Sequence, residues 1–600
     1  VPEPKGSFKD AMIPDTCDLT HHAQLFINHL ISTTVAKTDY EPVGNVQFFI
    51  DPQRIMLCHN EGICAWPKYR ESLPLMRLMT GSRAGYEIDQ KWAEVILKSI
   101  GPDGLYYQTL TGRPWDTGAY PWLVNEKRDA YAYLPTTNGR LLGALSIYYL
   151  LTGDEVWKKT AQGIVDRMNE LVIWEGDKAY FPKFVFYFGE KVDLESLKKN
   201  MEGELSLGET ESNYPLWQTW IVTGLSQYYR TTGYEPAAKL ARGLLNYVIA
   251  HRFTPDGRWD DHFHVGTLGI HAMCELAYAT GDRQLAEFAQ KAYEWGKSAE
   301  MGAIPQMGYF AVMQQQRGGE EPMEPCSVAD MIAIALKLTQ AGVADYYDDM
   351  DGYIRNCLIE NQVTAPHQIA EYYQKLVSGK ATAYPMLGPQ VPVKTPVSYT
   401  DVVDQFPARM VGMFSSTSYP NDIGWSYYFT CCSGNCSRAL YYAWESILNY
   451  ERGKLRVNLL LNRASPWADV DSYLPYAGQV DIQMKKPCDL EVRMAKWIEK
   501  DKVQCSVNGI SRTFTWSGPY AVLGKVNMGD RVRFEFPISE RTEKVRTHKL
   551  AYTLTFKGAD VVNIEPRGGN IPIFLRDHYR SNQPRFVKKD RFTCENAVLW

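Results

Sequence analysis

No apolar run in this sequence approaches the ~20 residues a helix needs to cross a bilayer, so no membrane span is expected. Positive charge is not in excess either. Lys and Arg number 64 against 69 Asp and Glu, a net charge of −5, which argues against a nucleic-acid or other polyanionic partner. Nucleotide fingerprints are missing: there is no Walker loop, and no strand-borne GxGxxG opens a helix. Cysteine is sparse, twelve in 600 residues, which excludes a disulfide-built scaffold. The first residues, VPEPKGSF, contain neither a basic n-region nor an apolar h-region. Either a leader has been removed or there was none, and the periplasm or the exterior after leader removal is the favoured location.

What is present is length, apolar content and aromatics. Six hundred residues exceed one ordinary core, so at least two domains are expected. The 38 tyrosines and 16 tryptophans suit the walls of a sugar site, although most must serve as core. From about 65 to 450 a loose repeat recurs, in which an apolar helix ends in Thr-Gly or a similar stop and an amphipathic helix follows. The stops are Gly81, Gly153, Gly233 and Gly281, at positions where glycine ends a helix in the left-handed conformation. EPAAKLARGLLNYVIAHRF and RQLAEFAQKAYEWGKSA carry stripes at three- and four-residue spacing. SVADMIAIALKLTQ, DYYDDMDGYIRNCLIENQ and SRALYYAWESILNY extend and close the series. About six helical hairpins with long polar loops predict an (α/α)6 barrel with its site at one mouth. After Glu451 the period becomes two, as in Val480, Ile482, Met484 and in Val532, Phe534, Phe536, with turns such as Asn508-Gly509 between runs. The expected division is an (α/α)6-barrel domain over 1–450, including an N-terminal lead-in, and a C-terminal β-sandwich over 451–600.

The most informative stretch is YYFTCCSGNCSRALYYAW, from Tyr427 to Trp444. Cys431 and Cys432 precede a Ser-Gly-Asn segment that reads as a turn opening an apolar helix. A helix N-terminus favours negative charge and hence thiolate. Upstream, Glu324-Pro325-Cys326 supplies a carboxylate and a third thiol. One carboxylate and three thiols make a plausible tetrahedral zinc set. Spacing alone leaves a catalytic metal, a structural zinc and four unrelated buried residues all open.

On the Glu-x-Cys and Cys-Cys motifs, and on strand phrases such as RVNLLLNRAS and CDLEVRMAKW, the chain resembles the zinc- and cysteine-dependent β-L-arabinofuranosidases of glycoside hydrolase family 127. The resemblance implies Zn2+ held by Glu324, Cys326, Cys431 and Cys432, with Cys431 also the nucleophile of a retaining mechanism. It also implies a glutamate general acid/base about fifteen residues before Glu-x-Cys. No glutamate stands that early in QMGYFAVMQQQRGGEEPMEPC; the acids nearby are Glu320 and Glu321, either a substitute or a solvent-exposed loop residue, and Glu321 is taken as the candidate. The family places histidines on three barrel helices around the sugar. His271 matches one, whereas Arg140 and Gln218 stand at the other two. An arginine fork suits a carboxylate, so Arg140 points to an acidic sugar; the plainer reading is a surface arginine near a helix start. Asp260, Asp261, His262 and His264 read as a polar subsite wall rather than a metal site, the His21-His22 pair as an ordinary helix start, and residues 101–115 as a sugar-binding rim.

The function these readings imply is an exo-glycoside hydrolase removing a terminal furanosyl or acidic sugar from polysaccharide-derived oligosaccharides. A homodimer paired through the sheet domain is the assembly allowed for. The alternatives are a carboxylate-dependent uronyl hydrolase or polysaccharide lyase on the same barrel, and a non-catalytic glycan-binding relative with structural zinc.

Overall fold

The computed structural model describes the chain except residues 1, 35, 42–44, 51–52, 59–61, 109–129, 202–216, 261, 313–321, 382–404 and 424–426. Its helices sort into two kinds by burial. Six are buried almost throughout: α1 (Gly62–Thr80), α2 (Arg140–Thr152), α3 (Thr219–Thr232), α4 (Phe263–Thr280), α5 (Pro325–Gln340) and α6 (Thr430–Ser446). Each packs on the next in chain order, and α6 returns to pack on α1. The second kind is amphipathic and lies outside. Leu19–Thr33 covers α1 and α6, Glu155–Leu171 covers α2, Glu235–Arg252 covers α3, Arg283–Gly296 covers α4 and Tyr347–Tyr353 covers α5. In Glu155–Leu171, for example, Trp157, Ala161, Ile164, Val165, Met168 and Leu171 form the buried stripe, and charged and polar residues make up most of the rest.

The repeat read from the sequence is present. Gly81, Gly153, Gly233 and Gly281 adopt φ values of 69°, 70°, 70° and 72°. DYYDDMDGYIRNCLIENQ departs from expectation: the α-helix stops at Tyr353 and continues as a wider turn over Ile354–Leu358 and a tighter one over Ile359–Asn361. A larger correction concerns α6. It begins at Thr430, so the cysteine pair lies in its first turn, and Ser-Gly-Asn is helix rather than turn. Gly434 is needed for packing. A Cβ there would stand 2.6 Å from the Cβ of Lys68 on α1, so glycine lets these two helices approach.

Strand Leu448–Glu451 starts two residues after α6 ends. A five-stranded and a six-stranded sheet follow, each with a face of buried residues such as Leu455, Leu490 and Val492, or Val480, Ile482 and Phe534. Asn508 and Gly509 both have positive φ, 53° and 79°, and join two short strands as the Asn-Gly signal predicts. The sequence gives no hint of one pairing: Gly6–Pro14 forms an antiparallel ladder with Phe586–Cys594, tying the N-terminal lead-in to the sheet region. Beyond that ladder the chain runs back to the helices, where Trp600 is buried against α1 and α5. Among the described residues no helix is long and apolar enough to cross a membrane.

Candidate active site

The six inner helices run parallel. Residues at the starts of α4, α5 and α6 meet at one end, around Glu324, and Arg230 and Lys337 in the last turns of α3 and α5 meet Glu275 of α4 at the other. Backbone pairs hold the starts of α4, α5 and α6 together. Phe263 N–H donates to Val312 O, and Val312 N–H donates to Pro322 O. Met323 and Ser418 exchange both of their backbone bonds, at 2.7 and 2.9 Å. Phe414 N–H donates to the Ser433 hydroxyl at 3.0 Å. Strand Tyr427–Phe429, which feeds α6, pairs with Asn45–Ile50.

This stitching brings three donor residues together. Donor atoms of His264, Glu324 and Cys326 all lie within 4.8 Å of one another. Glu324 is the N-cap of α5, with Pro325 at its first helical position and Cys326 next. The Cys432 thiol sits 3.4 Å from Glu324 Oε1. Asn435 Nδ2 donates to Cys326 Sγ at 3.1 Å, and His262 Nε2 lies 3.4 Å from Glu324 Oε2. His264 Nδ1 stands 2.9 Å from Asp330 Oδ2, which also accepts from the Thr267 hydroxyl at 3.0 Å. Burial alone would raise the Asp330 carboxyl, but His264, then His271 and Arg438, hold it at about 2. Imidazole, carboxylate and thiol converging in a buried corner, with an outer carboxylate behind the imidazole, fit a divalent metal of borderline softness.

The sequence-derived residues distribute as follows. Glu324, Cys326 and Cys432 are brought together. Cys431 occupies the first turn of α6; its side chain, like Glu321, lies outside the described residues. His264, assigned from sequence to a subsite wall, instead joins the donor group. Asp261 and residues 109–115 of the 101–115 segment are outside the described residues. His271 lies two turns deeper on α4, about 10 Å along the axis at 1.5 Å per residue. Its Nε2 is 3.5 Å from Glu275 and its Nδ1 is 3.8 Å from Asp330. Arg140 is neither exposed nor open to a ligand carboxylate through Nη2. That atom pairs with Glu71 Oε2 at 2.9 Å, both residues being 2 % exposed or less. Burial would raise Glu71, but Arg438 and Arg140, helped by a hydrogen bond from the Trp600 indole, hold it below the usual carboxylate range. Gln218 is buried just ahead of α3; its Oε1 accepts from Phe181 N–H at 3.0 Å, and its Nε2 has no partner among the described residues.

Sequence reasoning missed Asp330, Asn435 and Lys68. Asp330 follows Cys326 by four residues, and Asn435 follows Cys432 by three, the spacings that place side chains on one helix face; that signal was available. Lys68 had none. It reaches across the ring interior from α1 to put Nζ 5.7 Å from the Trp220 ring of α3. Trp220 packs edge-on against Trp217 at 4.8 Å, and neither indole N–H has a partner among the described residues.

No protein-family profile matches the chain, and no curated protein sequence matches it. Solved structures do. A GH127 β-L-arabinofuranosidase from Geobacillus stearothermophilus T6 superimposes with a TM-score of 0.50 at 15 % identity, over 93 % of this chain and 86 % of that one. A second GH127 β-arabinofuranosidase gives 0.53 at 15 %, over 93 % and 84 %. A protein described as a glycoside hydrolase gives 0.52 at 12 %, over 93 % and 83 %. At these identities the likeness is one of fold.

Proposed function

We propose that this protein is a retaining exo-glycoside hydrolase of the β-L-arabinofuranosidase type. In this reading the cycle of α1–α6 is the inner ring of an (α/α)6 barrel over 1–450, and the sheets over 451–600 form a β-sandwich. The observation that carries it is the convergence of His264, Glu324 and Cys326, with Cys432 beside Glu324, at the N-terminal mouth of the inner helices. The shared fold with GH127 enzymes supports it.

Zinc is the metal such donors suit; the family resemblance implies that Glu324, Cys326, Cys432 and Cys431 would hold it, and when bound it would keep thiol ligands deprotonated. Cys431 is the nucleophile. Its sulfur bonds to the anomeric carbon as the glycosidic C–O bond breaks, and the general acid, Glu321, protonates the departing oxygen. Glu321 then takes a proton from water, whose oxygen displaces the sulfur, giving net retention. The Trp217–Trp220 pair offers an aromatic wall for a sugar ring. Lys68 and Gln218 Nε2 offer donors to its hydroxyl groups.

The deciding experiment combines zinc analysis with turnover of an aryl β-L-arabinofuranoside. About one zinc per chain, lost together with activity in Cys326→Ser, is the expected result, and Cys431→Ala should abolish turnover while retaining fold. Full activity in metal-free protein, or in Cys431→Ala, would overturn the mechanism.

A further inference from the structure

The α4 histidine closest to the thiols is not one of the ligands that the family resemblance implies. We infer that His264 is a nitrogen donor to the metal, and that Asp330 is the residue that positions it. The inference rests on the reading of the mouth as a metal centre and goes beyond it, because it changes the donor set and adds a residue behind it.

His264 presents one ring nitrogen to Asp330, 2.9 Å from Oδ2. A carboxylate only accepts, so that nitrogen, Nδ1, carries the proton. The neutral ring then has one lone pair left, on Nε2. A donor nitrogen of His264 lies within 4.8 Å of donor atoms on both Glu324 and Cys326. With Nδ1 engaged, Nε2 is the one left to serve. Asp330 is itself immobilised. It is fully buried, accepts from Thr267, and has the Arg438 guanidinium 3.6 Å from its other oxygen. Arg438 in turn faces Glu71, which Arg140 and Trp600 hold. Asp330 lies behind the imidazole and is not a member of the donor group, so it acts through His264. Its position four residues after Cys326 puts ligand and support on the same face of α5.

The test uses full-length protein stripped of metal and titrated with cobalt(II), whose absorption spectrum reports coordination independently of activity. Wild type should bind about one cobalt per chain. His264→Ala should bind 10- to 100-fold more weakly, with a shifted visible spectrum, and added imidazole should restore the wild-type bands. Asp330→Asn should weaken binding by a similar factor. In a His264→Ala background the same change should add nothing, because a residue acting only through His264 has no second route. Unchanged affinity and spectrum in His264→Ala, with wild type still binding cobalt, would overturn the inference and leave the metal centre standing. Failure of wild type to bind cobalt or zinc would instead remove the metal centre itself. If Asp330→Asn does not fold, His264→Ala alone decides.

Discussion

Arg140 shows how far a residue's type can be from its task. An arginine at a helix start suggests recognition of an acidic sugar, yet in the structure Arg140 pairs with Glu71 inside the ring. Removing one member of a buried pair leaves the other uncompensated. Arg140→Ala should therefore cost about 3 kcal/mol of stability, read as a lower denaturation midpoint. It should change turnover of neutral and acidic glycosides by the same factor. A selective loss on acidic substrates would return Arg140 to the substrate site. What was legible at this scale was the donor chemistry of Glu324, Cys326 and Cys432, because thiols and carboxylates carry their function in their atoms. For His264 a metal site was the second reading, behind a polar subsite wall, since the sequence does not show Asp330 standing behind it.

Helix periodicity and glycine stops were readable because they arise within a few residues. The first turn of α6 was not. Ser433-Gly434-Asn435 has the composition of a turn, but α1 packs so closely on α6 that glycine is required inside the helix. Gly434→Ala would press a methyl group against the Cβ of Lys68, an atom close to the backbone that cannot swing away. The expected cost is about 2 kcal/mol, in the range for overpacked cores. The first turn of α6 would also shift. Zinc affinity should fall in Gly434→Ala by more than its stability loss explains, measured by competition with a chromophoric chelator. An unaltered affinity and melting temperature would show that the two helices have room to part.

Across the whole molecule, one junction between the sheet region and the helical ring lies at the end opposite the cysteines. Trp600 donates through its indole to Glu71 Oε1 at 3.0 Å, and its carbonyl accepts from Lys337 Nζ at 2.8 Å. Around Lys337 lie Glu275, Arg230, Tyr278 and Tyr442. Burial, then the neighbouring Arg230, lowers the Lys337 amine to about 7, against opposition from Glu275. A depressed lysine binds its proton less readily when folded than when unfolded. Between about pH 7 and 10 the unfolded chain therefore carries the extra proton, and stability from this group rises with pH. Below about pH 7 both states are protonated and the contribution is flat. Lys337→Met should remove this slope, seen by comparing urea midpoints of variant and wild type from pH 7 to 9.5. Parallel pH profiles for the two proteins would show that Lys337 keeps an ordinary affinity for its proton.

By itself the sequence determined the helical repeat, the change to strands after residue 450 and the residue types that can hold a metal, because each follows from short-range periodicity or from side-chain chemistry. Only the tertiary structure decided which of those residues meet. His264, Glu324 and Cys326 converge because two helix starts are pinned by backbone bonds through Val312, Pro322, Met323 and Ser418. Arg140 is spent on Glu71, and Trp600 returns to the ring from the far end of the chain. Such contacts join residues tens to hundreds of positions apart, and no local pattern encodes them.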